Sequence, residues 1–128
     1  MALTAEDARI IRDQFLAAAQ AIDDYLDANW ETISRSNYET LSESQKTLLR
    51  VSIFMTTEAV GLSIDQMADA AAELGQVIVE AKDSLADLHS VGKAIRITAG
   101  LVDLATAIIA KDPGGAVKAV QGLHDLLT

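Results

Sequence analysis

Cysteine is absent from the 128 residues, proline occurs once, and aromatic side chains are few: one Trp, two Tyr and two Phe. Without cysteine there is no disulfide scaffold, thiolate zinc site, iron–sulfur ligation or thiol catalysis. With so few aromatics, the interior has to be built from Ala, Leu, Ile and Val. Basic residues are also scarce. Ten Lys and Arg stand against nineteen Asp and Glu, a formal charge of −9. Nucleic-acid affinity rests on Lys and Arg displacing condensed counterions, so no nucleic-acid partner is expected. Alternating strand patterns, Asn-Gly or Asp-Gly turns, low-complexity tracts and repeats of 20–50 residues are all lacking.

What remains is a chain that is half hydrophobic. This length hides roughly two-thirds of the unfolded surface on folding, enough for one core without a covalent or metal staple. The expectation is one all-α domain spanning 1–128, a helical bundle of about four or five helices with long, coiled-coil-like antiparallel members. Charge divides it. Residues 1–90 carry 6 basic and 16 acidic side chains, and residues 91–128 carry 4 and 3, so the acidic body precedes a nearly neutral, apolar helical hairpin. Met1-Ala2-Leu3-Thr4-Ala5-Glu6-Asp7 lacks the basic and apolar stretches of a signal peptide, and the expected location is cytoplasmic.

Thr4 with Asp7 has the spacing of a capping box, and Ile11, Phe15, Ala18, Ile22 and Leu26, followed by Trp30 and Ile33, form one stripe. The first helix is therefore expected to run to about Ile33, with Trp30 on its core face. The polar stretch from Ser34 to Thr40 reads as a loop. Ser42 with Gln45 then marks a second start, and Leu48 to Leu62 is apolar almost all round, as a central helix is. A break is expected near Gly61, where Ser63 and Gln66 repeat the capping spacing.

Against that break stands a regular seam. Ile53, Thr57, Val60, Ile64, Met67, Ala71, Leu74, Ile78, Ala81, Leu85 and Leu88 alternate four- and three-residue steps, as a coiled coil does. The next boundary falls either at Lys82-Asp83-Ser84 or at Ser90-Val91-Gly92. Asp112-Pro113 then supplies an N-cap and a first helical residue, so a tight corner joins the last two helices. In the final helix Ala116, Val120, Leu123 and Leu127 share one face, and Lys118, Gln121 and Asp125 the other.

No motif assembles a catalytic group. His89 and His124 neighbour Asp87 and Asp125, but residues one or two apart on a helix diverge and make no dyad. Gly92-Lys93 lacks the remaining glycine and the hydroxyl of a phosphate loop. Glu-x-x-His, needed for a di-iron bundle, does not occur. The chain is therefore expected not to be an enzyme, and to carry neither cofactor nor metal.

Three features exceed background. The first is the apolar seam, with Ile64, Met67, Leu74 and Ile78 as residues expected to mediate self-association or contact with another protein. The second is a set of carboxylate columns. Asp65, Asp69 and Glu73 form one; Glu80, Asp83 and Asp87 a second; Asp23 or Asp24, Asp27 and Glu31 a third. Like charges at this spacing cost about 0.2–0.5 kcal/mol per pair. They suit a solvated face, a docking ridge for a basic partner, or a weak cation site. The third is the hairpin, with Leu101, Val102, Ile108 and Ile109 as candidates for an oligomer or membrane contact. Ala94 to Ala110 contains only Arg96 and Asp103 as charges, but its 17 residues reach about 25 Å, short of a hydrocarbon core of about 30 Å. Membrane contact is accordingly not the favoured reading. An apolar hairpin behind an acidic body resembles α-helical pore-forming toxins in architecture only, with no accompanying motif.

The expected function is thus a non-catalytic helical interaction protein, a homo-oligomer or the partner of another protein. A membrane-active protein and a small-ligand binder are the alternatives.

Overall fold

The computed structural model describes residues 5–56, 58–61, 74–87 and 90–127, and these form an all-α helical bundle. Its helices are α1 (Ala5–Asn29), α2 (Arg35–Ile53), α3 (Leu74–Asp87), α4 (Val91–Ile109) and α5 (Pro113–Leu127), and residues 58–61 are helical as well. The helices pack as a ring of neighbours: α1 lies against α2 and α3, α2 against α4, α4 against α5, and α5 against α3. One continuous core, aliphatic but for Phe15 and Tyr25, runs through all five.

The α1 stripe is as its periodicity predicts: Ile11, Phe15, Ala18, Ile22 and Leu26 are all buried. Its end is earlier. The helix stops at Asn29, whose side-chain amide donates to the Tyr25 carbonyl at 2.8 Å, while the Thr32 and Ile33 amides donate to the Asn29 carbonyl. These bonds satisfy carbonyls that a helix end leaves open. Ile33 still packs on the core, but Trp30 is 65% exposed, which corrects its expected core position. Burial also pushes the Tyr25 phenol above its ordinary pKa by desolvation.

The Ser34–Thr40 stretch is not a loop but the start of α2. Ser34, in extended backbone, accepts the Asn37 amide at 3.1 Å as N-cap, and Arg35 pairs with Glu39 one turn on. The hydroxyl-rich composition that suggested a loop is a cap followed by a first turn, so the start expected at Ser42 lies inside the helix. Leu41, Leu48 and Ser52 form the buried stripe of α2, the Ser52 hydroxyl donating to the Leu48 carbonyl at 2.7 Å.

The second break comes at Phe54–Thr56, ahead of Gly61, which is helical. Thr56 caps the turn that follows, its hydroxyl accepting from the Ala59 amide at 3.1 Å. The long seam is therefore interrupted after Ile53. Ile53 and Phe54 are exposed, so Leu48–Leu62 is not one central helix. That place belongs to α4, which buries Ala94, Ile97, Thr98, Leu101, Leu104, Ala105, Ala107 and Ile108. Thr57, Ser63, Gln66, Ala71 and Leu88 lie outside the described residues, as does Thr4.

Of the two boundaries open between α3 and α4, the Ser90 one is used: its hydroxyl accepts the Lys93 amide at 3.3 Å. The α4–α5 corner is where Asp112-Pro113 puts it. Asp112 accepts the Gly115 amide at 3.1 Å, and Pro113 opens α5. The Asp112 amide reaches back to the Ala107 carbonyl and the Lys111 amide to that of Ile108, the paired bonds of a Schellman motif. Its left-handed position is filled by Lys111, at φ 57°, where glycine is the usual occupant. Lys111 also binds Glu58 at 2.8 Å, tying the corner to the turn after the second break.

Two substitutions probe these features. Lys111→Gly removes the left-handed backbone cost and is expected to raise unfolding stability by about 0.5–1 kcal/mol in urea denaturation. It also abolishes a small pH dependence. The Lys111 hydrogen bond, then its charge, lower the Glu58 pKa, so that contribution is present above the unfolded carboxylate pKa and lost as pH falls through the folded one. Thr98 is fully buried and its hydroxyl has no hydrogen-bond partner among the described residues. Thr98→Val is therefore expected to stabilise by about 1–2 kcal/mol, read by thermal unfolding.

Candidate functional site

Ile64 and Met67 of the seam, and the ridge Asp65, Asp69 and Glu73, lie outside the described residues. Leu74 and Ile78 sit on the inner face of α3, sealed in the chain's own core. Leu101 and Ile108 of the hairpin are likewise fully buried, while Val102 and Ile109 are half-buried against the same core. Among the described residues no helix is long and apolar enough to cross a membrane. No group of three or more His, Asp or Glu side chains among them is placed to hold a metal ion.

Among the described residues the large apolar side chains left outside are different ones. Trp30, Tyr38 and Phe54, three of the five aromatics, are exposed, with Ile10 and Ile53. Trp30 and Tyr38 come together. They line a cleft of about 660 Å³ with Asp27, Ile33, Arg35 and Glu39, at the corner where α1 ends and α2 begins. The end of α1 at Asn29 releases Trp30 from the helix, and the Ser34 cap starts α2 so that Arg35 and Tyr38 fall in its first turn and Glu39 follows one turn after Arg35. Ile33, packed on the core, anchors the corner from within.

Charge in this cleft is unevenly matched. Arg35 Nε lies 3.1 Å from Glu39 Oε1, an exposed pair that largely cancels. Asp27 forms no ion pair within the described residues, and Asp23 stands one helical turn behind it on α1. Glu31 follows Trp30 directly, and the carbonyl end of α1 adds the negative pole of its dipole. The carboxylate column on the first helix thus ends at the aromatic cleft. The sequence reading missed this junction because Trp30 continues the apolar spacing of α1. A usable signal was the polarity around it: Asp27, Asn29, Glu31 and Thr32 flank the indole, and Ser36, Asn37 and Glu39 flank Tyr38.

A second concavity, about 630 Å³, runs between α4 and α5, with small residues including Ala99, Gly100, Ala110, Gly115, Ala119 and Gly122 along it. The helices are antiparallel here, Gly100 facing Leu123 and Gly115 facing Ala107. A Cβ at Gly100 would stand 2.8 Å from Leu123 Cδ2, whereas one at Gly122 meets nothing within 4 Å. Gly100→Ala is accordingly expected to destabilise by about 1–3 kcal/mol and Gly122→Ala to stabilise by up to about 1 kcal/mol, by urea denaturation.

No known protein family, curated protein or solved structure matches the chain at a significant level.

Proposed function

We propose that this chain is a non-catalytic helical interaction module that engages a protein partner through the Trp30–Tyr38 cleft. The observation that carries the reading is the partition of side chains. The aliphatic residues close a core within one chain, while Trp30 at 65% and Tyr38 at 40% exposure converge on one open cleft. Trp and Tyr are enriched at binding hot spots because each offers a large rigid contact area with a polar edge. The cleft's volume lies in the range that accepts a bulky side chain or a short peptide segment.

Peptide-display selection on the folded protein, run beside a Trp30→Ser/Tyr38→Ser variant, tests this. Peptides should be enriched on the parent protein and not on the variant. Enrichment indifferent to the two substitutions, or none, would defeat the reading.

Self-association is a second reading, favoured by Ile53 and Phe54, adjacent at the end of α2 and 71% and 68% exposed. Leu74 and Ile78 are enclosed, so this contact would run through the Ile53–Phe54 pair. Light scattering at micromolar concentration should then give a multiple of the 13.6 kDa chain mass that Phe54→Ser returns to monomer. A monomer before substitution removes this reading.

A further inference from the structure

We infer that the Trp30–Tyr38 cleft receives an arginine side chain from a basic segment of the partner. The inference rests on the interaction reading and names the chemistry of the occupant. An indole and a phenol line one cleft, and a cation over the face of either ring is held by the ring quadrupole. Asp27, in the same lining, supplies the carboxylate, and it has no ion-pair partner among the described residues. Arg35, the one cation among the described residues that line the cleft, is already engaged by Glu39 at 3.1 Å. Asp23 and Glu31 extend the negative potential along the approach. Residues 1–90 as a whole carry 16 acidic against 6 basic side chains, a net charge that favours the approach of cations over anions.

The same charges disfavour other occupants. An acidic segment is repelled. A second copy would bring its own −9 against this acidic corner. An uncharged apolar segment would have to cover Asp27 without answering it, at a desolvation cost. Guanidinium fits better than ammonium, since it is planar, stacks on aromatic faces and donates two parallel N–H groups to one carboxylate.

Trp30 is the only tryptophan, so its fluorescence reports this cleft directly. The experiment titrates the intact protein with capped oligo-arginine, oligo-lysine, oligo-glutamate and oligo-serine peptides. Oligo-arginine should give a saturable change in Trp30 emission, oligo-lysine a weaker one, and the other two none. Asp27→Asn and Tyr38→Ala should each weaken the oligo-arginine response about two- to five-fold with unchanged thermal unfolding. Asp83→Asn, which removes an exposed α3 carboxylate outside the cleft lining, should leave it unaltered, separating the site from general charge attraction.

Equal responses to oligo-serine and oligo-arginine would overturn the inference, as would an oligo-arginine response indifferent to Asp27→Asn. Either result leaves the interaction reading standing if display still enriches Trp30-dependent peptides. Enriched peptides without arginine would overturn the inference alone.

Discussion

Leu101→Asp is expected to abolish the native fold, leaving a chain with little helical circular dichroism and no cooperative thermal transition. Leu101 lies on the inner face of α4 at 0% exposure, among Ile97, Leu104 and Ile108. A carboxylate there would stand within the apolar core. It must either be buried as a charge or taken up protonated, and the loss exceeds about 4–5 kcal/mol, a large share of the roughly 5–15 kcal/mol that holds a domain together. Thr106→Asp is the matching control. Thr106 is an exposed residue of the last turn of the same helix, and its substitution, beside Asp103 and the negative dipole end, is expected to cost no more than about 1–1.5 kcal/mol. The pair also separates two uses of the α4–α5 hairpin. Were its apolar face a surface held for lipid or another copy, Leu101→Asp would be tolerated in the isolated protein.

Phe15→Ala has the second largest expected effect. Phe15 is fully buried on α1, which packs against both α2 and α3, so truncation leaves a cavity that helices on two sides would have to collapse to fill. The cost is about 3–5 kcal/mol, and the melting temperature should drop by roughly 10–20 °C. Urea denaturation should show a lower midpoint with an unchanged slope, since the surface exposed on unfolding is nearly the same. Phe54→Ala, the same chemical change at a side chain 68% exposed, should stay within about 0.5 kcal/mol. Equal costs at the two positions would mean that both phenylalanines are buried.

The contrast between these two phenylalanines shows where sequence patterning works and where it stops. Phe15 sits inside a sustained α1 stripe, and its inward position follows from three- and four-residue spacing alone. Asp112-Pro113 was legible for a different reason: a cap satisfies helix-end amides through local bonds that composition reveals, whereas the start at Ser90 was one of two that composition left open. Phe54 and Ile53 look like continuations of an apolar run, yet the chain turns at Phe54–Thr56 and leaves them outside. That turn depends on which helices α2 meets, and periodicity does not contain the ring order of α1, α2, α4, α5 and α3.

Ser34 illustrates a true ambiguity. Hydroxyl and amide side chains compete with the backbone both in loops and at helix starts, and only the geometry shows that Ser34 caps Asn37. The place of Lys111 at a helix end suits its charge, but its positive φ left no signal in the sequence. Its left-handed backbone is imposed by the return of α5 along α4 and is not a lysine preference. The interaction cleft was half legible. The carboxylate column of Asp23, Asp27 and Glu31 stands out by spacing, but its meeting with Trp30 and Tyr38 needs α1 to stop at Asn29 and α2 to begin at Arg35.

Aliphatic side chains and Phe15 close the core while Trp30 stays outside it, and the emission of that single indole in the isolated monomer tests this most directly. Measured at a concentration where light scattering gives one chain, Trp30 should emit near the wavelength of tryptophan in water and be quenched freely by acrylamide. A blue-shifted emission shielded from acrylamide under those conditions would place the indole in the interior and contradict the account.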